Sequence, residues 1–177
     1  MGYGVRIRCK CRSSDLMLGC GFSYPMVYQE IMDAMKKGEY GDEIKDLVNN
    51  TEFVAVNAEN EAYYCDKCGK ATARKSLDLY KPKDVEKVKK EVVGRWTVAD
   101  EYIDKTMGEL GELPYWNPSE MEDEDNNWVL LKEYLHVCPE CGNVMKKIDP
   151  EELVGKTCPK CGEKFNDGLI FDEYLWD

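Results

Sequence analysis

The sequence predicts an α+β protein with two small modules, each organised around four cysteines, the N-terminal one split by a helical insertion. Three observations predict this class. Two Cys-x-x-Cys-Gly motifs stand in tandem at 138–142 and 158–162. A Cys-x-Cys pair at 9–11 and a third Cys-x-x-Cys-Gly motif at 65–69 flank a stretch with helical periodicity. Cysteines at these spacings are typical of metal ligands.

The composition favours a metal-binding protein over a disulfide-bonded one. The chain has 177 residues and is 43% hydrophobic, which suits one or two domains with small apolar cores. Eight of the nine cysteines lie in Cys-x-Cys or Cys-x-x-Cys pairs. No apolar run is long enough to span a bilayer, and the N-terminus has no signal-peptide core. We therefore expect a cytoplasmic, reducing location and no membrane partner.

The net charge is −11 when the thiols are neutral. Each four-thiolate zinc site adds a net −2, so two such sites take the charge of −11 to −15. Neutralisation of phosphates supplies most of the affinity for nucleic acids, and a chain this acidic is a poor phosphate binder. The charge therefore disfavours a nucleic-acid partner, and we expect a protein partner of unknown identity.

The N-terminal cysteines predict half of a metal site. The segment from Tyr3 to Arg8 alternates like a strand and continues into Cys9 and Cys11. Residues i and i+2 of an extended segment point the same way, so both thiols face one point. Cys65 and Cys68 have no neighbouring partner pair, and a long connecting loop costs little more entropy than a short one. We predict one shared site of these four cysteines; the alternative is two ordinary strand cysteines and a separate redox pair.

The insertion between these cysteine pairs is predicted to contain two helices and a strand. Apolar residues at spacings of three and four predict a helix from Tyr24 to Lys37, with Pro25 in its first turn. A second short helix is expected at 43–49. The segments 53–57 and 62–64 alternate like strands.

Two further residues invite a functional interpretation. Cys20, the odd cysteine, lies between two glycines; a small buried hydrophobe in a turn is the favoured interpretation, and an extra ligand or reactive thiol is the alternative. His136 is the only histidine and precedes Cys138 by two residues. Because four cysteines already follow it, we expect a strand residue near the metal rather than a replacement ligand.

The middle of the chain is predicted to separate the two modules. A strand is expected at 72–80, followed by a helix that opens at Pro82 and carries a basic, solvated face. Another short helix is expected within 100–114. The acidic run at 120–125 is typical of a linker. The expected domains are therefore 1–80, 81–127 and 128–177.

The C-terminal module is predicted to form a complete metal site. A strand at 128–137 leads into the first motif, and a strand at 169–176 closes the module. Proline fixes φ at the entry of each turn, and glycine after the second cysteine permits φ > 0. Four sulfurs would then surround a zinc ion at about 2.3 Å. The predicted ligands of this site are Cys138, Cys141, Cys158 and Cys161.

The stretch from Cys138 to about Phe165 resembles the zinc ribbons and, more distantly, the rubredoxin-like knuckles that hold iron. The resemblance covers residues 128–177. It implies a bound metal and a ribbon fold, and it implies function only weakly, because zinc ribbons occur in transcription proteins, RNA-processing proteins, enzymes and many bacterial proteins.

The expected function is structural zinc binding, with two ions, in a cytoplasmic adaptor or interaction protein. Four sulfur ligands leave no open coordination position, and the sequence contains no readable catalytic constellation, so we expect no enzyme activity. One alternative is a nucleic-acid or transcription-associated zinc ribbon. The other is a rubredoxin-like electron-transfer protein, since the same sulfurs accept iron.

Overall fold

The computed structural model divides the chain into two compact units, each assembled from separated stretches. Unit 1 consists of Met1–Tyr24, Glu59–Ser76 and Tyr134–Asp177; unit 2 consists of Pro25–Ala58 and Leu77–Glu133. This division differs from the three consecutive segments expected from the sequence. The structure describes residues 2–9, 11, 15–20, 24–88, 128–153, 155–158, 160–165 and 170–176.

Along the described part of the chain, two strands precede a pair of α-helices, and the remaining strands follow them. The strands are β1 (Gly2–Arg8), β2 (Asp15–Cys20), β3 (Ala55–Val56), β4 (Asn60–Tyr64), β5 (Ala71–Lys75), β6 (Leu79–Pro82), β7 (Trp128–Lys132), β8 (Lys146–Lys147) and β9 (Ile170–Trp176). The α-helices are α1 (Tyr24–Lys37) and α2 (Asp42–Asn50), and a short 3-10 helix spans Pro150–Leu153. No helix in these described stretches has the length and apolar character needed to cross a membrane.

Unit 1 is built on an antiparallel sheet with strand order β5-β4-β2-β1-β9, and β8 pairs with β4 beside this path. Strand β1 pairs along its whole length with β9, and with β2 from Tyr3 to Arg8. Its apolar residues Val5 and Ile7 stand opposite Leu18 and Leu16 of β2. The strands predicted near 3–8 and 169–176 are confirmed, whereas β2 was not anticipated.

Among the described residues of unit 1, two apolar clusters contain cysteines. The larger cluster consists of Ile7, Cys9, Leu16, Leu18, Ala62, Leu153, Cys158 and Phe165. The smaller cluster consists of Tyr63, Cys65, Cys138 and Met145. Each cysteine group described below is therefore anchored in its own core.

Unit 2 contains both α-helices. Helix α1 has the bounds that the sequence predicts, and α2 extends the predicted second helix by one residue at each end. The inner face of α1 buries Tyr28, Ile31, Met32 and Met35. Burial of these side chains stabilises the helix more than its intrinsic propensity does.

Two positions with positive φ end strands that the sequence predicts to be longer. Phe53 has φ 55°, and the predicted strand at 53–57 is reduced to β3. Leu77 has φ 66°, and the predicted strand at 72–80 is divided into β5 and β6. Bulky residues rarely adopt this conformation, so the local sequence does not predict that a strand ends at either residue.

Unit 2 also contains the second sheet of the chain, which has the strand order β3-β6-β7. It packs with a core of Phe53, Ala55, Tyr80, Val88 and Trp128. Strand β7 is shorter than the predicted strand at 128–137. Residues 85–88 are helical, as expected after Pro82. The rest of that helix, the expected helix at 100–114 and the acidic run lie outside the described residues.

Candidate metal centre

The structure gathers the eight paired cysteines into two groups of four. Within each group, the four Sγ atoms all lie within 4.8 Å of one another. The outer site, named for its widely separated cysteines, consists of Cys9, Cys11, Cys158 and Cys161; the inner site consists of Cys65, Cys68, Cys138 and Cys141. Both groups lie in unit 1.

Sulfur–sulfur distances across the outer site fit a tetrahedral ion. The Sγ atoms of Cys9 and Cys161 are 3.6 Å apart, and those of Cys11 and Cys158 are 3.9 Å apart. Four sulfurs at about 2.3 Å from a central ion are about 3.8 Å from one another. The outer site therefore has the dimensions of a four-thiolate metal site.

The inner site has nearly the same dimensions. The Sγ atoms of Cys65 and Cys141 are 3.5 Å apart, and those of Cys68 and Cys138 are 3.6 Å apart. Cys65 and Cys138 are buried, Cys141 is half-buried and Cys68 is exposed. The ligand atoms thus lie at the edge of a core, as is common for structural metal sites in small modules.

The predicted grouping of the cysteines is wrong. The sequence predicted one site at 9, 11, 65 and 68 and another at 138, 141, 158 and 161, but each pair joins a different partner. Sheet pairing gives the physical reason. Tyr64, next to Cys65, pairs with Lys146, which brings the motifs at 65–69 and 138–142 together. Cys9 and Cys158 share one apolar cluster.

The three Cys-x-x-Cys-Gly motifs form the same turn, and we call each of them a knuckle. In each knuckle the glycine N–H donates a 2.9 Å hydrogen bond to the carbonyl oxygen of the first cysteine. The glycines have φ values of 71°, 71° and 76°, which favour glycine over any residue with a Cβ. They are Gly69, Gly142 and Gly162. The turn predicted from the glycine position is confirmed.

Backbone N–H groups point at the sulfurs and favour their negative charge. The second cysteine of each knuckle accepts a hydrogen bond from the N–H two residues later: Lys70 for Cys68, Asn143 for Cys141 and Glu163 for Cys161. In Cys65, burial opposes ionisation, but hydrogen bonds from the N–H of Cys68, the Cys141 thiol and the N–H of Lys67 lower the pKa to about 7. Hydrogen bonds of this kind also orient sulfur ligands around a metal.

Other cysteine thiols hold their protons firmly when no cation is bound. Burial is the main cause that raises the pKa of Cys9 to about 12. The N–H of Lys70 favours the Cys68 thiolate, but desolvation and the thiols of Cys138, Cys65 and Cys141 raise the pKa of Cys68 to about 12. A divalent cation would replace these protons, because thiolates are the form that binds metal. The donor set therefore fits zinc or iron, which soft sulfur ligands select.

Ion pairs join the knuckle at 65–69 to its surroundings. The Lys70 ammonium lies 3.0 Å from the Glu140 carboxylate, which links the two knuckles of the inner site. Lys146 lies 2.5 Å from Asp66 and lowers the pKa of that carboxyl group. Exposed pairs of this kind contribute little stability.

His136 lies outside both cysteine groups. Its side chain is buried between the rings of Tyr63 and Tyr134, with centroid separations of 4.3 and 4.9 Å. Its Nε2 atom is 3.1 Å from the carbonyl oxygen of Ser76. The residue packs against Tyr63 of the cluster that contains Cys65 and Cys138, but it lies outside β7 and is not the strand residue that the sequence predicted.

Cys20 is the last residue of β2, rather than a turn residue. Its side chain lies outside the described part of the chain, so its interpretation as a small buried hydrophobe stays a prediction.

The two groups define a protein able to hold two metal ions through cysteine sulfur. Comparison of the chain with protein-family models, with curated proteins and with solved structures finds no match. The assignment of a function therefore rests on the cysteine geometry and on the residues around it.

Proposed function

We propose that this chain is a structural zinc-binding protein that holds one Zn²⁺ in the outer site and one in the inner site. The observation that carries the proposal is the pair of four-thiol groups, with all Sγ atoms of each group within 4.8 Å. Four thiolates complete a tetrahedral shell and leave no position for water or substrate. The ions therefore hold the fold together and carry out no reaction.

The connectivity of unit 1 supports this structural role. The unit consists of three separate segments. The outer site joins the first segment to the third, and the inner site joins the second segment to the third. The apolar clusters beneath the sites are small, and small cores generally need a metal or another cross-link. Two ions are sufficient to connect all three segments.

Metal analysis tests the proposal and separates zinc from iron. Chain purified without chelator should contain two zinc ions and be colourless. The variant Cys158→Ser should contain one ion. Iron as the main metal, with the visible colour of iron–thiolate charge transfer, would favour the rubredoxin-like alternative. One ion or none in the unaltered chain would contradict the two-site proposal.

We further propose that unit 1 binds a protein partner beside the inner site. Val137 and Val144 stand opposite each other in an antiparallel bridge, and their exposed fractions are 53% and 47%. Leu135, two residues earlier, is 59% exposed. Exposed apolar side chains in contact with one another are typical of interaction surfaces. The test is whether Leu135→Ser with Val144→Ser abolishes co-purification of a native partner while two metal ions are retained.

The distribution of charge keeps nucleic-acid binding as a second candidate. Thirteen acidic and thirteen basic side chains belong to unit 1, so the net charge of −11 belongs to unit 2. Lys67 and Lys160 are exposed at equivalent positions of two knuckles. A mobility shift with single-stranded or double-stranded nucleic acid that weakens steeply with salt would support this candidate. No shift at low salt would exclude it.

A further inference from the structure

We propose that the two metal sites are energetically coupled, so that an ion in either site raises the affinity of the other site at least about threefold. The inference rests on the proposed function, since it concerns metal bound by these two cysteine groups. The structure supports it by the order of the ligands along the chain, by contacts between the sites and by a strand that contributes to the core of each site.

The four cysteine pairs are nested along the chain. The outer site joins the first pair to the last, and it encloses the inner site, which joins the second pair to the third. Cys11 and Cys158 of the outer site are separated by 147 residues, whereas Cys68 and Cys138 of the inner site are separated by 70. Closing the inner site therefore shortens the loop that the outer site must close.

The size of this loop effect follows from chain statistics. With the inner site closed, the path between the outer pairs consists of segments 11–65 and 141–158, a separation of 71 residues in place of 147. For a flexible chain the probability of closure falls as the 3/2 power of length. If the whole chain is flexible, halving the loop raises the affinity of the outer site about threefold, and linkage requires the same factor in the other direction. A unit 2 that stays folded shortens both loops and makes the loop factor smaller than this.

Direct contacts between the two sites add to this factor. The ammonium group of Lys156, two residues before Cys158 of the outer site, lies 4.5 Å from the ring centroid of Tyr64, the residue before Cys65. A Cβ built on Gly69 would lie 3.9 Å from the carbonyl oxygen of Thr157 and 3.6 Å from the Tyr64 hydroxyl. The knuckle at 65–69 therefore lies next to Thr157, the residue that precedes the knuckle of the outer site.

Strand β4 also contributes to the separate apolar cores of both sites, through Ala62 and Tyr63. Ala62 of β4 belongs to the cluster that contains the outer ligands Cys9 and Cys158. Its carbonyl oxygen accepts a 3.0 Å hydrogen bond from the N–H of Ile148, which follows β8. Ordering of β4 and β8 by the inner ion therefore completes part of the wall around the outer site, and this packing adds to the loop effect.

Two single-site variants test the coupling. Cys11→Ser with Cys161→Ser removes the two exposed ligands of the outer site, and Cys68→Ser with Cys141→Ser removes the two least buried ligands of the inner site. The probe is Co²⁺, whose thiolate absorption reports binding, in competition with a chromogenic chelator. We expect the remaining site in each variant to bind at least about threefold more weakly than in the full chain, by the same factor in both. Unchanged affinity in either variant overturns the proposal.

A second measurement uses the unaltered chain and does not depend on the folding of a variant. Native mass spectrometry at half-saturation with zinc counts chains with zero, one and two ions. Two independent sites, whatever their affinities, leave at least half of the chains singly loaded. Because its loop is shorter, the inner site should bind zinc about threefold more tightly than the outer site when the other site is empty. With this difference, threefold coupling lowers the singly loaded share to about two fifths. A singly loaded share of half or more, with the two sites within about tenfold of each other in intrinsic affinity, overturns the coupling.

The two tests separate failure of the coupling from failure of the proposed function. Binding of two ions with independent affinities leaves structural zinc binding intact and removes only the coupling. Absence of metal binding in the unaltered chain overturns both.

Discussion

Removal of both metal ions should unfold unit 1 and leave unit 2 folded. Apparent binding free energies of structural zinc sites are about 10–16 kcal/mol near pH 7, whereas whole domains are stable by only about 5–15 kcal/mol. Both sites lie in unit 1, and each connects two of its three segments. Loss of both ions therefore removes free energy comparable to the whole stability of unit 1.

Unit 2 has no cysteine and therefore supplies no thiolate ligand to either site. Met35 of α1 is fully buried, and Ile31 and Met32 are buried beside it. A separate apolar core around Trp128 holds its three-stranded sheet. We therefore expect the helix and this core to survive chelation.

Hydrogen exchange measured by mass spectrometry, with and without a zinc chelator, distinguishes the two units. Peptides covering 137–165 and 59–76 should lose protection on chelation, since the N–H groups of Cys65, Cys138 and Cys158 bond within the knuckles. Peptides covering 27–35 should keep protection. Native-like protection of 137–165 without metal, or equal loss of protection in both units, would refute this reasoning.

Four further outcomes are expected. Phe165→Ala, at a core position with 1% exposure, should destabilise metal-loaded unit 1 by about 3–5 kcal/mol in denaturant titration, and the exposed control Val144→Ala by less than about 0.5 kcal/mol. Gly142→Ala meets no atom within 4 Å, so its left-handed φ alone should cost about 1–2 kcal/mol, with two ions retained. Cys20→Ser should leave the metal count at two; release of an ion would show that the ligand set is incomplete. Zinc affinity should rise about tenfold or more from pH 6 to pH 7, because thiols such as Cys9, with a pKa raised to about 12, must lose protons on binding. A zinc affinity that does not change with pH would exclude thiolate ligation.

Helix α1, strand β1 and the knuckle turns were predicted correctly because residues close together in sequence determine them. Helix α1 was predicted to the residue because an apolar stripe, Pro25 in the first turn and Gly38 after the last turn all agree. Strand β1 was predicted from its alternation. The knuckle turns were predicted because glycine follows the second cysteine in each.

The grouping of the half-sites could not be predicted in the same way. Spacing shows which two cysteines share an ion, but it carries no information about which second pair completes the site. The grouping depends on β4 pairing with β8 and on the core shared by Cys9 and Cys158, and both are long-range contacts. The motifs at 138–142 and 158–162 are neighbours along the chain, and for that reason they were wrongly predicted to share one ion.

Strand breaks were missed for a different reason. Leu77 and Phe53 are apolar residues with good strand propensity, yet both have positive φ. Leu77 is buried, and the chain on either side of it enters two different sheets. Tertiary packing therefore overrides the local preference at this position.

The grouping of cysteines from distant segments is the central claim, and a map of alkylated thiols in Cys158→Ser at saturating zinc tests it most directly. Removal of this ligand should expose Cys9, Cys11 and Cys161 to iodoacetamide, while all four cysteines of the inner site stay protected. Alkylation of Cys138 and its knuckle partner, with protection of Cys9 and Cys11, would contradict the account and restore the consecutive grouping.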